Sequence, residues 1–353
     1  MRPVRLRYTY ELLQGYSAFD HPDAVLLNPR FATDEELAWL HTTEYVAAVK
    51  ALGSDLANNI DMARFGFSVQ GDNPVYPNMF EAAALSTGAS LVAAEMVSNK
   101  TVDAAFNISG GLHHASANHA SGFCVFNDPA LAVHYFLSQG NRVAYVDIDA
   151  HHGDGVQEAF YNDDRVLTIS IHESGQWLFP GTGSVAEIGE GLGRGYSVNL
   201  PLYPYTGDND YVEAFGQVVP PLVAAFAPDI LVTQLGIDSY HNDPLTHLQV
   251  TTEGYLEAVR QLAGLGLPWL ALGGGGYDVS AVARAWTLVY GVMLGSEWPD
   301  QLPTDFSKEF RVSRLRDQLR PEVPSEIKID ARRYMEDSVG AIRQHVFPLH
   351  GLV

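Results

Sequence analysis

The chain has 353 residues, 46% of them hydrophobic and 18% charged, which is long enough to close one large core and too balanced for disorder. Its 42 acidic side chains against 21 basic ones give a formal charge of -21, which repels a phosphate backbone and favours cationic ligands, so nucleic acid is a poor partner. One cysteine, Cys124, excludes an intramolecular disulfide and suits a reducing, cytoplasmic location, and no run of 18 apolar residues marks a membrane span.

The first seven residues are basic but lead into polar sequence, not into the apolar core of a secretion signal. After them a helix is predicted over 80–97 and a strand over 103–108. A helix at 129–137 and strands at 142–148, 166–171 and 196–200 follow. Helix 211–226, strand 229–235, helix 252–262, strand 269–272 and helix 280–294 complete the pattern. Short β-rich runs alternating with amphipathic helices predict an α/β fold, a parallel sheet covered by helices on both faces. Beyond Trp298 the prolines at 299, 303, 321 and 324 break the rhythm before a closing helix from Ser325 to about His345. Residues 298–353 are therefore expected to be an extension packed on a single-domain core spanning 3–297. The acidic excess belongs to the core, because residues 1–300 carry 12 basic against 34 acidic side chains.

Polar motifs follow the carboxyl ends of five predicted strands. They are Ser109-Gly-Gly-Leu-His-His, Asp149-Ala-His-His-Gly-Asp, His172, Gly236-Ile-Asp and Gly273-Gly-Gly-Gly-Tyr. Open parallel sheets place their ligand crevice at that rim. Asp147, Asp149 and His151 recur at every second residue, so an extended strand points all three to one side. Two carboxylates buried at the end of an apolar strand demand a compensating charge, and a cation is the simplest source. Asp238, at the end of another strand, can supply a third ligand. An Asp, His, Asp set with an open position suits catalytic zinc, while iron(II) or cobalt fits the same donors. The plain alternative is an acidic cluster closing a helix N-terminus. A metal ion in such a site lowers the pKa of water from 15.7 to about 7, which makes hydrolysis the natural reaction.

His113 and His114 follow two glycines, Gly110 and Gly111, and need carboxylates to fix their tautomers; Asp147 and Asp154 are available, one for each imidazole. Tyr277 ends the four-glycine run 273–276, placed to donate a hydrogen bond to a carbonyl oxygen as its charge develops. No Lys-Ser/Thr follows the glycines, so a phosphate cradle is the weaker reading.

Taken together, Gly-Gly-Leu-His-His-Ala at 110–115, Ser-Gly-Phe-Cys at 121–124 and Asp-Ile-Asp-Ala-His-His-Gly-Asp-Gly at 147–155 resemble the histone deacetylase family. So do Phe-Pro-Gly-Thr-Gly at 179–183, Gly-Ile-Asp at 236–238 and Gly-Gly-Gly-Gly-Tyr at 273–277. Within the family the chain looks most like the class I-like bacterial acetoin-utilisation (AcuC-type) deacetylases. The resemblance implies the single-domain arginase/deacetylase fold around an eight-stranded parallel sheet. Members begin with an edge strand and His-Pro-Met before the Pro-x-Arg seen here at Pro3 to Arg5, so the first edge strand is expected to be in question.

The resemblance further implies that Asp149, His151 and Asp238 hold Zn2+, with Fe2+ as the other candidate, and that His113, His114 and Tyr277 are catalytic beside Asp147 and Asp154. Asp147, Asp149, His151, Ser170 and Ile171 match a structural K+ site. Phe123 and Phe179 match the walls of an acetyl-lysine tunnel, with Gly122 and Leu245 beside it and Asp72 at its rim. Arg5, Gly274 and Gly276 match an acetate exit. The implied partner is an acetylated protein lysine or a small acetylated amine, and neither nucleic acid nor membrane; a homo-oligomer is compatible.

Two rivals use the same scaffold. Ureohydrolases bind two manganese ions through Asp-x-His-x-Asp and Asp-x-Asp, where this chain has Gly153 and Tyr240 in the closing positions. Acetylpolyamine hydrolases rely on an acidic gatekeeper, and the matching position here, Leu245, is apolar. A third rival, a binding module without turnover, should lack a ligand or the tyrosine, and this chain keeps all of them.

Overall fold

A computed structural model describes residues 2–54 and 60–353. Val143–Asp147 (β2) lies at the centre of a parallel sheet, between Val166–Glu173 (β3) on one side and Ile230–Gln234 (β5) on the other. Ser197–Leu202 (β4) closes the β3 edge, while Trp269–Leu272 (β6) and then Ala104–Asn107 (β1) extend the other side. The order is β1-β6-β5-β2-β3-β4. After β2 the chain moves outward through β3 and β4; after β5 it moves the opposite way to β6. The topological switch therefore falls between β2 and β5, where open α/β sheets hold their ligands.

Among the described residues the sheet has six strands, not the eight implied by the resemblance. Pro3 to Arg5 opens a helix, Val4–Gly15 (α1), with Pro3 at its N-cap. The strands β3 and β4 run two residues further than the sequence suggests, to Glu173 and Leu202. The reason is tertiary: β3 and β4 stay paired beyond His172, whose polar side chain reads as the end of a strand but is buried here.

The other helices are Asp34–Leu37 (α2), Thr43–Leu52 (α3), Met79–Ser98 (α4), Asp128–Ser138 (α5), Asp154–Phe160 (α6), Asp208–Phe226 (α7), Thr252–Ala263 (α8), Val279–Leu294 (α9), Thr304–Phe310 (α10) and Ser325–His345 (α11). Alternation along β2 feeds two cores. Ala144, Val146 and Ile148 join Phe215 and Val219 of α7, Tyr255 of α8 and Trp286 of α9. Val143 and Tyr145 join Ala94 of α4, Phe136 of α5 and Phe160 of α6. α4 is long and apolar enough to cross a membrane by length and composition, and half of it is buried inside the protein. α11 packs along the edge strand β4, with Ser338 Oγ donating to Pro201 O at 3.0 Å, so the extension covers one edge of the sheet.

Phe215 is fully buried in the larger core. Phe215→Ala should lower unfolding free energy by about 3–5 kcal/mol in urea titration, the ordinary cost of emptying an aromatic site.

Candidate metal centre

Asp149 and His151 lie just past β2 and Asp238 just past β5, on either side of the switch. One ligand atom from each lies within 4.8 Å of the other two, and all three residues are buried. His151 Nδ1 stands 2.9 Å from Asp238 Oδ2 and 3.1 Å from Asp149 Oδ1. The outer oxygens are already engaged. Asp149 Oδ2 accepts from Gly275 N at 2.8 Å and Gln234 Nε2 at 2.6 Å, and Asp238 Oδ1 accepts from Ala150 N at 2.7 Å. One oxygen of each carboxylate is thus turned toward a common point with the imidazole, and the second is locked from behind, as metal-ligating carboxylates require.

The local electrostatics ask for positive charge at that point. Burial and the charge of Asp149 push the Asp238 carboxyl up to about 7. At His151 burial works downward, but the charge of Asp238 and hydrogen bonds to both carboxylates outweigh it and hold the imidazole well above its ordinary value. In protein alone the cluster recruits a proton where a cation fits. The donor set, its convergence and its braced outer oxygens fit a divalent ion. Glycine is needed at 275, because a Cβ there would sit 2.1 Å from Asp238 Oδ2.

Beside the cluster stand the paired imidazoles. His113 Nδ1 donates to Asp147 Oδ2 and His114 Nδ1 to Asp154 Oδ1, both at 2.7 Å, and the two Nε2 atoms are 3.1 Å apart. For His113 burial acts downward, but the charges of Asp147 and Asp149 prevail and raise it to about 9. Burial and the positive charge of His113 drop His114 to about 4. At neutral pH His113 is the cation that donates from both nitrogens, and His114 is neutral with Nε2 as its acceptor. Divergent values in one pair separate a base from an electrostatic partner.

Tyr277 follows Gly276 at the end of the loop after β6, its ring 5.9 Å from that of Phe123. Burial and the charges of Asp238 and Asp149 raise its phenol far above the ordinary value, so it remains a donor. Phe179 closes the opposite side, its ring 5.1 Å from His114 and 6.4 Å from His151. Gly122 has φ +49°, and a Cβ there would lie 2.3 Å from the His114 ring. Phe179 and Leu245 are each more than two-fifths exposed, so both reach solvent. Asp72 is exposed on the loop closed by the Ser68 to Pro74 bridge, and no hydrogen bond or ion pair ties it to the cluster. On the inner side Arg5 is buried, with Nη1 donating to Gly276 O at 3.1 Å and its guanidinium over the Trp286 ring. Gly274 and Gly276 both have positive φ; a Cβ on Gly276 would lie 3.8 Å from Arg5 Nη1, while one on Gly274 would meet the Gln234 side chain.

Asp147, the last residue of β2, is the register partner of Ser170 within β3, with Ile171 next in line. His172 lies apart from the cluster: its Nδ1 meets Ser170 Oγ at 2.9 Å, and its Nε2 meets Gly183 O at 3.0 Å. A second metal has no ligands at the ureohydrolase positions. A Cβ on Gly153 would lie 2.5 Å from Asp147 Oδ2, and the Tyr240 hydroxyl turns to Arg284 and Asp317.

Three supporting residues escape a sequence reading. Asp243 accepts from Tyr277 N at 2.7 Å and Leu245 N at 3.0 Å, tying the loop after β6 to the segment around Leu245. Gln234 braces Asp149, and Asp128 accepts from Gly111 N and Leu112 N just before the imidazoles. Their signals are faint: an Asp before Pro244, a lone amide ending a buried strand, and an acidic residue in the first turn of a helix.

The value of kcat/KM should fall as pH drops through the pKa of His114, which removes the base, and again as pH rises through that of His113. A bound dication pulls both limbs lower, and Asp154→Asn, which removes a charge that favours protonated His114, should move the acid limb to still lower pH. Asp243→Ala should reduce kcat by about 10- to 100-fold through a displaced Tyr277, measured as steady-state turnover.

The histone deacetylase domain family model matches residues 1–293. The acetoin utilization protein AcuC of Bacillus subtilis (strain 168) is 42% identical over 86% of this chain and 79% of its own length. Histone deacetylase 1 of Homo sapiens is 40% identical over 86% of this chain, which spans 62% of that protein. Crystal structures of an HDAC homologue complexed with SAHA and of one from Aquifex aeolicus each superpose with a TM-score of 0.84 at 32% identity, covering 94% of this chain and 92% of theirs. With that sequence match and that shared architecture, the chain belongs to the histone deacetylase family of hydrolases.

Proposed function

We propose that this protein hydrolyses the acetamide of acetyl-lysine in protein substrates, releasing acetate and free lysine, with Zn2+ held by Asp149, His151 and Asp238. The observation that carries the reading is the meeting of a three-ligand cluster with two carboxylate-bound imidazoles and a protonated phenol at one sheet rim. Such an ion supplies Lewis acidity, lowering the pKa of a nearby water from 15.7 to about 7.

The chain's own groups do the rest. His114 Nε2 takes the proton of the attacking water and returns it to the departing amine, while Asp154 fixes its tautomer. His113, held cationic by Asp147, stabilises the negative charge that builds beside it. The Tyr277 hydroxyl donates to the carbonyl oxygen as it becomes an oxyanion. Phe123 and Phe179 flank the slot that admits an aliphatic side chain, and Asp72 meets the substrate backbone outside. Arg5, with Gly274 and Gly276, leads acetate away. A structural K+ at Asp147, Asp149, His151, Ser170 and Ile171 would brace the ends of β2 and β3. Cytoplasmic residence suits Cys124, a buried thiol raised by burial far above the reactive range.

The formal charge of -21 favours a second reading, deacetylation of acetylpolyamines or other small amides, whereas the apolar Leu245 at the mouth favours the peptide. Acetyl-lysine peptides and acetylpolyamines assayed side by side, with and without a hydroxamate chelator, separate the two. Peptide turnover that the chelator abolishes is expected, and turnover of polyamines alone would reverse the preference.

His114→Ala should lose about 10²- to 10⁴-fold in kcat with metal content unchanged. Tyr277→Phe should lower kcat by about 10²- to 10³-fold while peptide binding persists; a near-normal kcat would remove the oxyanion role.

A further inference from the structure

The turn that presents Phe179 is held from two sides. On the inner side Thr182 Oγ1 meets His152 Nδ1 at 2.8 Å, Gly183 O meets His172 Nε2 at 3.0 Å, and Glu187 accepts from Gly183 N and Ser184 N. All of these lie after Phe179. Before it the organising residue is Ser174: its carbonyl accepts from Trp177 N at 2.9 Å and Leu178 N at 3.2 Å, and its hydroxyl accepts from Gln176 N at 3.3 Å.

Ser174 is reached from the C-terminal extension. The Tyr334 hydroxyl, on α11, donates to Ser174 Oγ at 2.9 Å. The Tyr334 ring also joins an aromatic group with Trp177 and Tyr203, at centroid distances of 5.7 and 5.9 Å, and Trp177 lies 4.9 Å from Tyr203. A cleft of about 470 Å³ otherwise separates α11 from the 174–185 segment. Among the described residues the Tyr334 to Ser174 bond is the one hydrogen bond between α11 and residues 174–185, while Ser338 Oγ to Pro201 O joins α11 to the β4 side of the same cleft. α11 lies outside the span matched by the family model, which ends at residue 293.

We propose that Tyr334 is a positioning residue for substrate binding: from the C-terminal helix it clamps the Ser174 turn so that Phe179 stands against His114 as a fixed wall. The proposal rests on the reading that Phe179 lines the substrate slot. A wall that touches the side chain equally before and during reaction contributes uniform binding, so its loosening appears in KM and not in kcat. The aromatic group holds the ring and the hydroxyl holds the turn, so losing the hydroxyl alone should loosen the turn in part and losing the ring should loosen it further.

The test compares Tyr334→Phe, Tyr334→Ala and Ser338→Ala in the full-length, metal-loaded enzyme on an acetyl-lysine peptide. Ser338 lies one turn away on the same helix, but its hydroxyl bonds to Pro201 O, so its variant reports loosening of α11 alone. Tyr334→Phe should raise KM about three- to tenfold, the span expected for one neutral hydrogen bond, with kcat within about twofold. Tyr334→Ala should raise KM further, and Ser338→Ala should leave it unchanged. Hydrogen exchange gives a readout independent of turnover: the amides of Trp177 and Leu178 should exchange faster in both Tyr334 variants and not in Ser338→Ala. Unchanged KM and exchange in Tyr334→Phe, or an equal KM rise in Ser338→Ala, would overturn the proposal. Wild-type protein inert toward every acetyl-lysine peptide would refute the proposed function instead, and the exchange comparison would still decide the clamp.

Discussion

Two carboxylates, Asp149 and Asp238, stand buried side by side at the switch between β2 and β5. Taking such charges out of water costs several kcal/mol each unless something positive shares the space. Neighbouring features follow from that demand. His151 rises in pKa to meet it, Gln234 and the backbone at Ala150 and Gly275 satisfy the outward oxygens, and small residues at 236 and 275 leave room for the carboxylates themselves. A cation that replaces the recruited proton neutralises the cluster and brings Lewis acidity to a point next to the imidazole pair.

The same charges organise the chemistry around them. Asp147 and Asp149 keep His113 cationic, and burial together with the His113 charge keeps His114 neutral. Burial and the charges of Asp238 and Asp149 hold the Tyr277 phenol protonated. Burial and one electrostatic field thus leave three side chains from two different loops in different protonation states. Two devices hold those loops still: Asp243 ties Tyr277 to the segment around Leu245, and Asp128 fixes the strap before His113.

Much of this was legible in the sequence because the polar motifs stand where strands end. Strand periodicity itself stops at Asp147, the last residue of β2; Asp149 and His151 lie in the bend beyond it, where they converge with Asp238, and Asp147 and Asp154 take one imidazole each. Long-range side-chain bonds were not legible: Asp243 accepts from Tyr277 N, Asp128 from Gly111 N and Leu112 N, and Gln234 donates to Asp149 and to Gly111 O, all across distances that no local pattern marks. His172 misled, since its position after an apolar run resembles the rim motifs while its side chain is spent on Ser170 and Gly183. The sheet count misled as well, because the family pattern implied eight strands and the described residues form six, with a helix from Val4. The closing helix was visible as a helix, but that it covers β4 and reaches Ser174 depends on tertiary packing alone.

The chemistry of the site turns on one divalent cation between the ends of β2 and β5, and anomalous diffraction from crystals of the native protein, paired with elemental analysis of the same sample, tests for it. One peak per chain is expected, at about 2.0–2.2 Å from an oxygen of Asp149, Nδ1 of His151 and an oxygen of Asp238. Two peaks a few ångströms apart, or none among these three side chains in protein that is fully active, would contradict it.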